Sequence, residues 1–387
     1  MEKIKVSVIM PSLNVVKYIR LCIESVINQT LEDIEIICVD AGSTDGTIDI
    51  LEEYASKDQR ISIIHSEKKS YGYQMNLGMD AAEGKYMGIV ETDDYADLDM
   101  FETLYRIAED DNLDMVKSGY YNYYTEPEEN NIPIPITSHV FSQRVFCPLT
   151  DFNSPKEHAE FFNIKPTIWS AIYRIGFLRD NNIRFNETPG ASFQDCSFNF
   201  KVLSLAKRVR LIEDCFLHYR QDNASSSVNS PSTAFCVLDE YKEIDAFLED
   251  HSELKQRLKG IECYLKYNTY IWNYNRLNDA LQLEFIRIAS DEFCKERALG
   301  YFDKKYFPYY KWNTMNVIAD KPKQFHEYMK SQKEGNISFR DRQPVFNESM
   351  RDKLFRNVRK FKRYVALYGW KITMIKAMKK IRRIITR

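Results

Sequence analysis

Apolar positions in the first 115 residues alternate between two periods. Val6 to Met10 is a short run, apolar except at Ser7, that stops at Pro11, the pattern of a strand buried on both faces. Tyr18, Leu21, Cys22, Ser25 and Val26 then keep helical spacing, and Ile34 to Val39 is a second buried strand that ends at Asp40. The same reading predicts a helix over 45–55, a strand over 61–64, a helix over 72–82 and a strand over 85–90. An acidic stretch, ETDDYADLD, follows, and then a helix over 98–109. This alternation predicts an α/β fold: an open, mostly parallel sheet with helices on both faces. Ligands on such sheets bind beyond the carboxyl ends of strands. That singles out Asn14, Asp40 and the cluster from Glu91 to Asp94.

The pattern changes twice further along. Residues 116–225 are less regular. Within them 125–138, TEPEENNIPIPITS, reads as an exposed loop, and Val209 to Ile212 as a strand. From about 231 to 334 the period is helical. Tyr264, Tyr267, Ile271 and Tyr274 form a stripe there, read as core rather than as a sugar platform. The expected organisation is an α/β domain over 1–225 in two halves, 1–115 and 116–225. A helical subdomain over 226–345 and a tail over 346–387 complete it.

Charge distribution changes the picture of that tail. The 387 residues hold 54 Lys and Arg against 56 Asp and Glu, a net charge of −2. Residues 351–387 carry 14 of those bases and a single acid, Asp352; residues 1–350 hold 40 bases and 55 acids. Trp370, Met374, Met378, Ile381 and Ile385 share one helical face, with Lys371, Lys376, Lys379, Lys380, Arg382 and Arg383 largely elsewhere. A basic amphipathic helix suits an anionic membrane surface. The alternative is packing on the acidic body of this chain or of a second copy. No nucleic-acid-binding motif occurs. The eight cysteines are scattered, with no metal or redox spacing, and read as reduced residues of a cytosolic protein. The start, MEKIKVSVIM, reads as no signal peptide, and no apolar run is long enough to span a bilayer.

Two segments carry candidate chemistry. In VDAGSTDGT, residues 39–47, a strand delivers Asp40, which can accept a hydrogen bond from a base or ribose. Gly42 allows close backbone approach, and the following helix start favours phosphate. The same pattern also serves a plain strand–turn–helix capped by Ser43 or Thr44. In GIVETDDYAD, residues 88–97, an apolar strand runs into Glu91, Asp93 and Asp94. Clustered carboxylates suit Mg²⁺ or Mn²⁺, which could stabilise a diphosphate leaving group. The alternative is a solvated acidic loop before a helix.

Together, in this order and spacing, the two segments resemble the family 2 glycosyltransferases of the GT-A fold. The resemblance covers residues 1 to about 225 and includes NLGMDAAEGKYMGIVETDDY, QDCSF near residue 195, and YRQDNASSS. It implies a Rossmann-like sheet, with a nucleotide-binding half over 1–115 and an acceptor half over 116–225, followed by a helical C-terminal region. It also implies roles. Pro11, Ser12 and Asn14 would line the nucleotide pocket with Gly42 and Asn76, and Asp40 would bind uracil. Asp93 and Glu91 would hold the metal, Mn²⁺ or Mg²⁺. Asp94 and Gln194 would face the donor sugar. Asp195 would be the general base of an inverting transfer.

Departures from the family pattern are Ala41 where a second acid is usual, Glu91 at the first position of the metal element, Met75 in place of Arg, and Gln194 before Asp195. Beyond the motifs, His218 could reach the metal or a phosphate, or be a satisfied structural residue. Arg220 could offset pyrophosphate charge or pair with a surface acid. Trp169 could stack on an acceptor sugar or be buried in packing. The function expected is transfer of a sugar from a UDP-sugar to a glycan or lipid-linked acceptor, at the inner face of the cell membrane. A degenerate scaffold subunit is the alternative. A sugar nucleotidyltransferase is disfavoured by PSLNVV, where that chemistry needs a Gly-rich basic loop.

Overall fold

A computed structural model describes residues 4–126, 128–136, 144–223 and 233–333. The basic tail, most of the NASSS segment and part of 125–138 lie outside them. Among the described residues no helix is long and apolar enough to cross a membrane.

Four parallel strands build the half of the sheet nearer the N-terminus. They are β1 (Val6–Ser12), β2 (Ile34–Asp40), β3 (Ile61–His65) and β4 (Tyr86–Ile89), in spatial order β3-β2-β1-β4. Every residue of β1 is buried, because β2 and β4 flank it and helices cover both faces. Pro11 falls where β1 pairs only with β2, so its missing N–H costs little. Helices α1 (Ile19–Ile27), α2 (Thr47–Ala55), α3 (Tyr71–Ala81) and α4 (Met100–Asp110) connect or follow these strands. In α1 the buried face is Ile19, Cys22, Ile23 and Val26; Leu21, expected on it, is exposed.

The other half of the sheet is mixed. After the short β5 (Tyr95–Ala96) come β6 (Met115–Tyr124), β7 (Asn130–Ile134), β8 (Val145–Phe146), β9 (Ala171–Arg174) and β10 (Val209–Arg220). The order continues β4-β9-β6-β10-β5, with β9 antiparallel to both β4 and β6, and β6 parallel to β10. β5, β6, β7, β8 and β9 are not among the strands that the sequence pattern predicts. β7 lies in the segment expected to be a loop; it pairs with β6 alone, and an edge position tolerates Pro133. β9 is only four residues, AIYR, too short to show a period.

Helices α5 (Pro155–Phe162), α6 (Ile175–Asp180) and α7 (Gln194–Leu205) punctuate this half. Beyond it run α8 (Cys236–Asp250), α9 (Ser252–Arg276), α10 (Asp279–Ala298), α11 (Tyr309–Asp320) and α12 (Pro322–Lys333). The chain divides into two compact units, Met1–Phe285 with Gly300–Tyr306, and Ile286–Leu299 with Phe307–Arg387. In the first, α8 and α9 pack against α7 and α5. The expected boundary at 225 therefore marks a change of element type, not a break in packing. Of the stripe, Tyr264, Tyr267 and Tyr274 are buried and Ile271 is half-buried, which makes it largely core; Tyr270 beside it is buried too. The second unit has its own buried Phe293, Met315, Ile318 and Phe325, with Arg297 paired to Asp320 at 2.5 Å. All eight cysteines are free.

Candidate active site

The carboxyl ends of β1, β2 and β4 come together in register, with Ser12 opposite Asp40. Asp40 is buried and its carboxylate is fully used. Oδ1 accepts from the hydroxyls of Ser12 (3.2 Å) and Ser43 (2.5 Å), and Oδ2 accepts from the backbone N–H of Gly42 and Ser43, both at 2.8 Å. Four acceptor positions are about what a carboxylate has. Asp40 thus organises the turn, and a base could reach it only by displacing one of these bonds. Gly42, at φ +82° and exposed, has open space where a Cβ would stand. Asn14 is exposed at φ +55°, and its side chain accepts from Thr44 N–H at 2.9 Å, which clips the β1 loop to the β2 loop. Gln74, unnoticed in the sequence, donates to the carbonyls of Ser12 (3.0 Å) and Val39 (2.7 Å) and bridges the two strand ends.

The acidic loop after β4 is held from two sides. Thr92 Oγ1 donates to the Pro11 carbonyl at 2.7 Å. On the other side Arg220, the last residue of β10, donates its backbone N–H to Asp94 Oδ1 (2.8 Å) and its Nε–H to the Asp93 carbonyl (2.9 Å). Its guanidinium lies over the rings of Tyr18 and Tyr123. Asn223 donates to Asp93 Oδ2 at 2.7 Å. Asp94 is 1% exposed and its Oδ2 has no partner. Burial first, then the Asp93 charge, pushes the Asp94 carboxyl well above its usual range. Burial likewise pushes Glu91 up to about 8, against the bond from Tyr71, with Asp93 and Asp195 adding repulsion. Such a loop fits a cation. The unpartnered oxygen and the raised proton affinities are what mutually repelling, poorly solvated carboxylates show without a counter-charge. The three do not converge as a ready-made cage among the described residues. A Mg²⁺ shared with a diphosphate needs only one or two carboxylates.

Asp195 arrives from another direction, in the first turn of α7. Burial pushes its carboxyl up to about 6, while hydrogen bonds from Cys196 and the Lys165 charge hold it down. The helix N-terminus also favours the anion, which limits the rise. The loop before it is laced to α3. Tyr71 N–H donates to the Gly190 carbonyl (2.9 Å), Ser70 Oγ to the Thr188 carbonyl (2.7 Å), and Asn76 exchanges bonds with the Phe185 backbone, both at 3.0 Å. Gly72 is required there, since a Cβ would stand 1.9 Å from the Asn186 carbonyl oxygen. From the same α3 turn Tyr71 donates to Glu91 Oε1 at 2.6 Å. Asp195's loop and the acidic loop are thereby held by one short helix segment.

Several sequence candidates take other roles. Asn76 spends its amide on Phe185 and Glu187 and secures the loop, not a nucleotide. Gln194 is buried, with its Nε2 on Thr188 and Gly190 and its Oε1 accepting from Ser192 N–H; it shapes the turn before the base. His218 has no nitrogen left for a metal: Nδ1 meets Asn131 Oδ1 at 2.7 Å, Nε2 meets Asp97 Oδ1 at 2.9 Å, and the ring is stacked between Tyr95 and Tyr121. Trp169 is 8% exposed, packed on Tyr120 and Tyr219, and so cannot offer an open face. Arg220 anchors the acidic loop from within.

A sheet with this order, strand ends gathered at its switch from β1 to β4, an acidic loop and a separate carboxylate at a helix head define a GT-A glycosyltransferase fold. The profile of glycosyl transferase family 2 matches residues 7–203, and the chain belongs to that family. Its enzyme class is that of a glycosyltransferase. EpsH of Bacillus subtilis is 30% identical over 281 residues, covering 71% of this chain and 78% of EpsH. The uncharacterized glycosyltransferase EpsJ of the same organism is 32% identical over 217 residues, covering 56% of this chain but only 61% of EpsJ. The structure of S. aureus TarS residues 1–349 in complex with UDP-GlcNAc superposes with a TM-score of 0.64 at 18% identity, covering 89% of this chain and 97% of that one.

Proposed function

We propose that the chain transfers a sugar from a UDP-linked donor to a hydroxyl of a surface-glycan acceptor carried on a lipid, with inversion at the anomeric carbon. The observation that carries this reading is the placement of Asp195. It stands at the head of α7, raised toward neutrality by burial, and close enough to Glu91 for the two charges to repel. A general base belongs near the pH at which it works. Asp195 takes the proton from the acceptor hydroxyl, whose oxygen bonds to the anomeric carbon as the bond to UDP breaks. UDP leaves with that electron pair.

Ser12, Asn14, Gly42 and the Asp40-ordered turn form the nucleotide cradle, with Pro11 fixing the end of β1. Glu91 and Asp93 would hold Mn²⁺ or Mg²⁺, and Asp94 would meet either the donor sugar or that ion through its free oxygen. When bound, the ion supplies positive charge against the diphosphate. The relation to TarS, which binds UDP-GlcNAc, supports a UDP donor. The tail over 351–387 would hold the enzyme on the inner face of the membrane, beside lipid-linked acceptors.

The test is hydrolysis of UDP-, GDP- and CMP-sugars with Mn²⁺ or Mg²⁺. UDP-sugar turnover that Asp93→Ala abolishes is the expected result. No turnover and no calorimetric UDP binding in the presence of metal would leave the scaffold reading.

A further inference from the structure

The buried Trp169 leaves the acceptor side of the site without the aromatic face that the sequence offered. A different tryptophan supplies one. Trp272 lies on α9 and is 50% exposed, unlike Trp169. Its indole meets the ring of Phe193 edge to face, with centroids 5.7 Å apart and planes at 81°. Phe193 is the residue before α7 and stands two positions ahead of Asp195. Two residues of chain span at most about 7 Å, so the backbone that carries Phe193 lies within about one sugar ring's length of the backbone that carries Asp195.

The pair is built, not incidental. Phe193 adopts φ +65°, a left-handed conformation that a bulky side chain takes only where surrounding contacts impose it. Arg276, one turn along α9, places its guanidinium carbon 5.3 Å from the Phe193 centroid and 5.8 Å from that of Trp272. That guanidinium is itself fixed, with Nε on Asn273 Oδ1 (2.8 Å) and Nη2 on the carbonyl (2.9 Å) and hydroxyl (3.0 Å) of Thr233. A half-exposed indole beside a second aromatic ring suits the C–H face of a pyranose, whose hydroxyl edge stays in water. Helical residues thus reach the site through the strained turn that carries the base.

We propose that Trp272 and Phe193 form an acceptor subsite for carbohydrate, holding the sugar next to the one whose hydroxyl attacks. The subsite rests on reading the chain as a glycosyltransferase, and UDP-sugar hydrolysis by the same preparation tests that reading separately. The test of the subsite is fluorine NMR of the full chain labelled with 5-fluorotryptophan. The chain has four tryptophans, and the Trp272 resonance is the one missing from Trp272→Phe. Cellotetraose, chitotetraose and maltotetraose are the probes. A saturable shift of the Trp272 resonance with at least one of them is expected. Calorimetry with that oligosaccharide should then show binding weakened about tenfold in Trp272→Ala and largely kept in Trp272→Tyr. Three silent probes overturn the proposal. So does unchanged affinity in Trp272→Ala, or a resonance that responds to phosphatidylglycerol vesicles and to none of the sugars.

Discussion

The phenol of Tyr71 donates to Glu91 Oε1 at 2.6 Å and so joins the first turn of α3 to the acidic loop after β4. Partners of this kind orient a metal ligand, and losing one typically weakens metal binding by about 10–100-fold. Tyr71→Phe keeps the ring and its edge contact with Phe185, 6.0 Å between centroids, and removes only the hydroxyl. The Mn²⁺ concentration for half-maximal UDP-sugar hydrolysis should rise in that range. An unchanged metal requirement would remove Glu91 from the metal site.

Asp195 predicts an acid limb. Its carboxyl is raised to about 6, and a general base acts only when deprotonated. Transfer should therefore fall as pH drops through about 6 and level off above it. Asp195→Asn should lower turnover by about 10²–10⁴-fold, and UDP binding should survive. A raised acid also costs stability once ionised, because the folded state holds the proton more tightly than the unfolded one. Asp195→Asn should thus raise the melting temperature at pH 7.5 and leave it unchanged below about pH 4. A flat pH–rate profile in this window would sink the assignment.

Glu240 on α8 gives a second pH signature, in stability. It is fully buried, accepts from Ser197 Oγ and from Asn186 Nδ2 (3.0 Å), and burial pushes it up to about 8. Between the unfolded value near 4.5 and 8 the unfolded chain has released this proton and the folded chain keeps it. The contribution of Glu240 to stability therefore declines as pH rises through that window. Glu240→Gln should gain on the parent protein in urea denaturation from pH 5 to pH 8. A constant difference across the range would mean that Glu240 is ionised in the fold.

Gly72→Ala tests the link between α3 and the base loop. The added Cβ would stand 1.9 Å from a backbone oxygen, so the 185–190 loop must move. A cost of about 1–3 kcal/mol is expected from such overpacking. Transfer should fall further than UDP affinity, because the loop leads to Asp195 and the nucleotide turn is formed elsewhere.

The basic tail is tested by deletion. Removing residues 351–387 takes away 14 bases and one acid. The shortened chain should no longer sediment with liposomes rich in phosphatidylglycerol, and its UDP-sugar hydrolysis should persist. Undiminished liposome binding would assign membrane contact to another surface.

The sequence by itself determined the parallel half of the sheet. Mostly apolar runs such as Val6–Met10 and Ile34–Val39, interrupted only by Ser7 and Glu35, find a stable home in a doubly covered strand. The polar residues that end them, Ser12, Asp40 and Glu91, necessarily gather at one edge. The sequence also displayed Asp195 in a recognisable motif, and the tyrosine stripe of α9 as core. What it could not display is how each polar group is spent. Asn76, Gln194 and His218 look like ligand-binding side chains in one dimension. They are occupied because carbonyls, amides and a carboxylate from residues 4 to 121 positions away come within hydrogen-bonding distance. Short strands such as β9, and the choice of Trp272 over Trp169 as the exposed ring, were likewise decided only in three dimensions. Strand pairing, burial and hydrogen-bond satisfaction are relations between distant segments, and no local period encodes them.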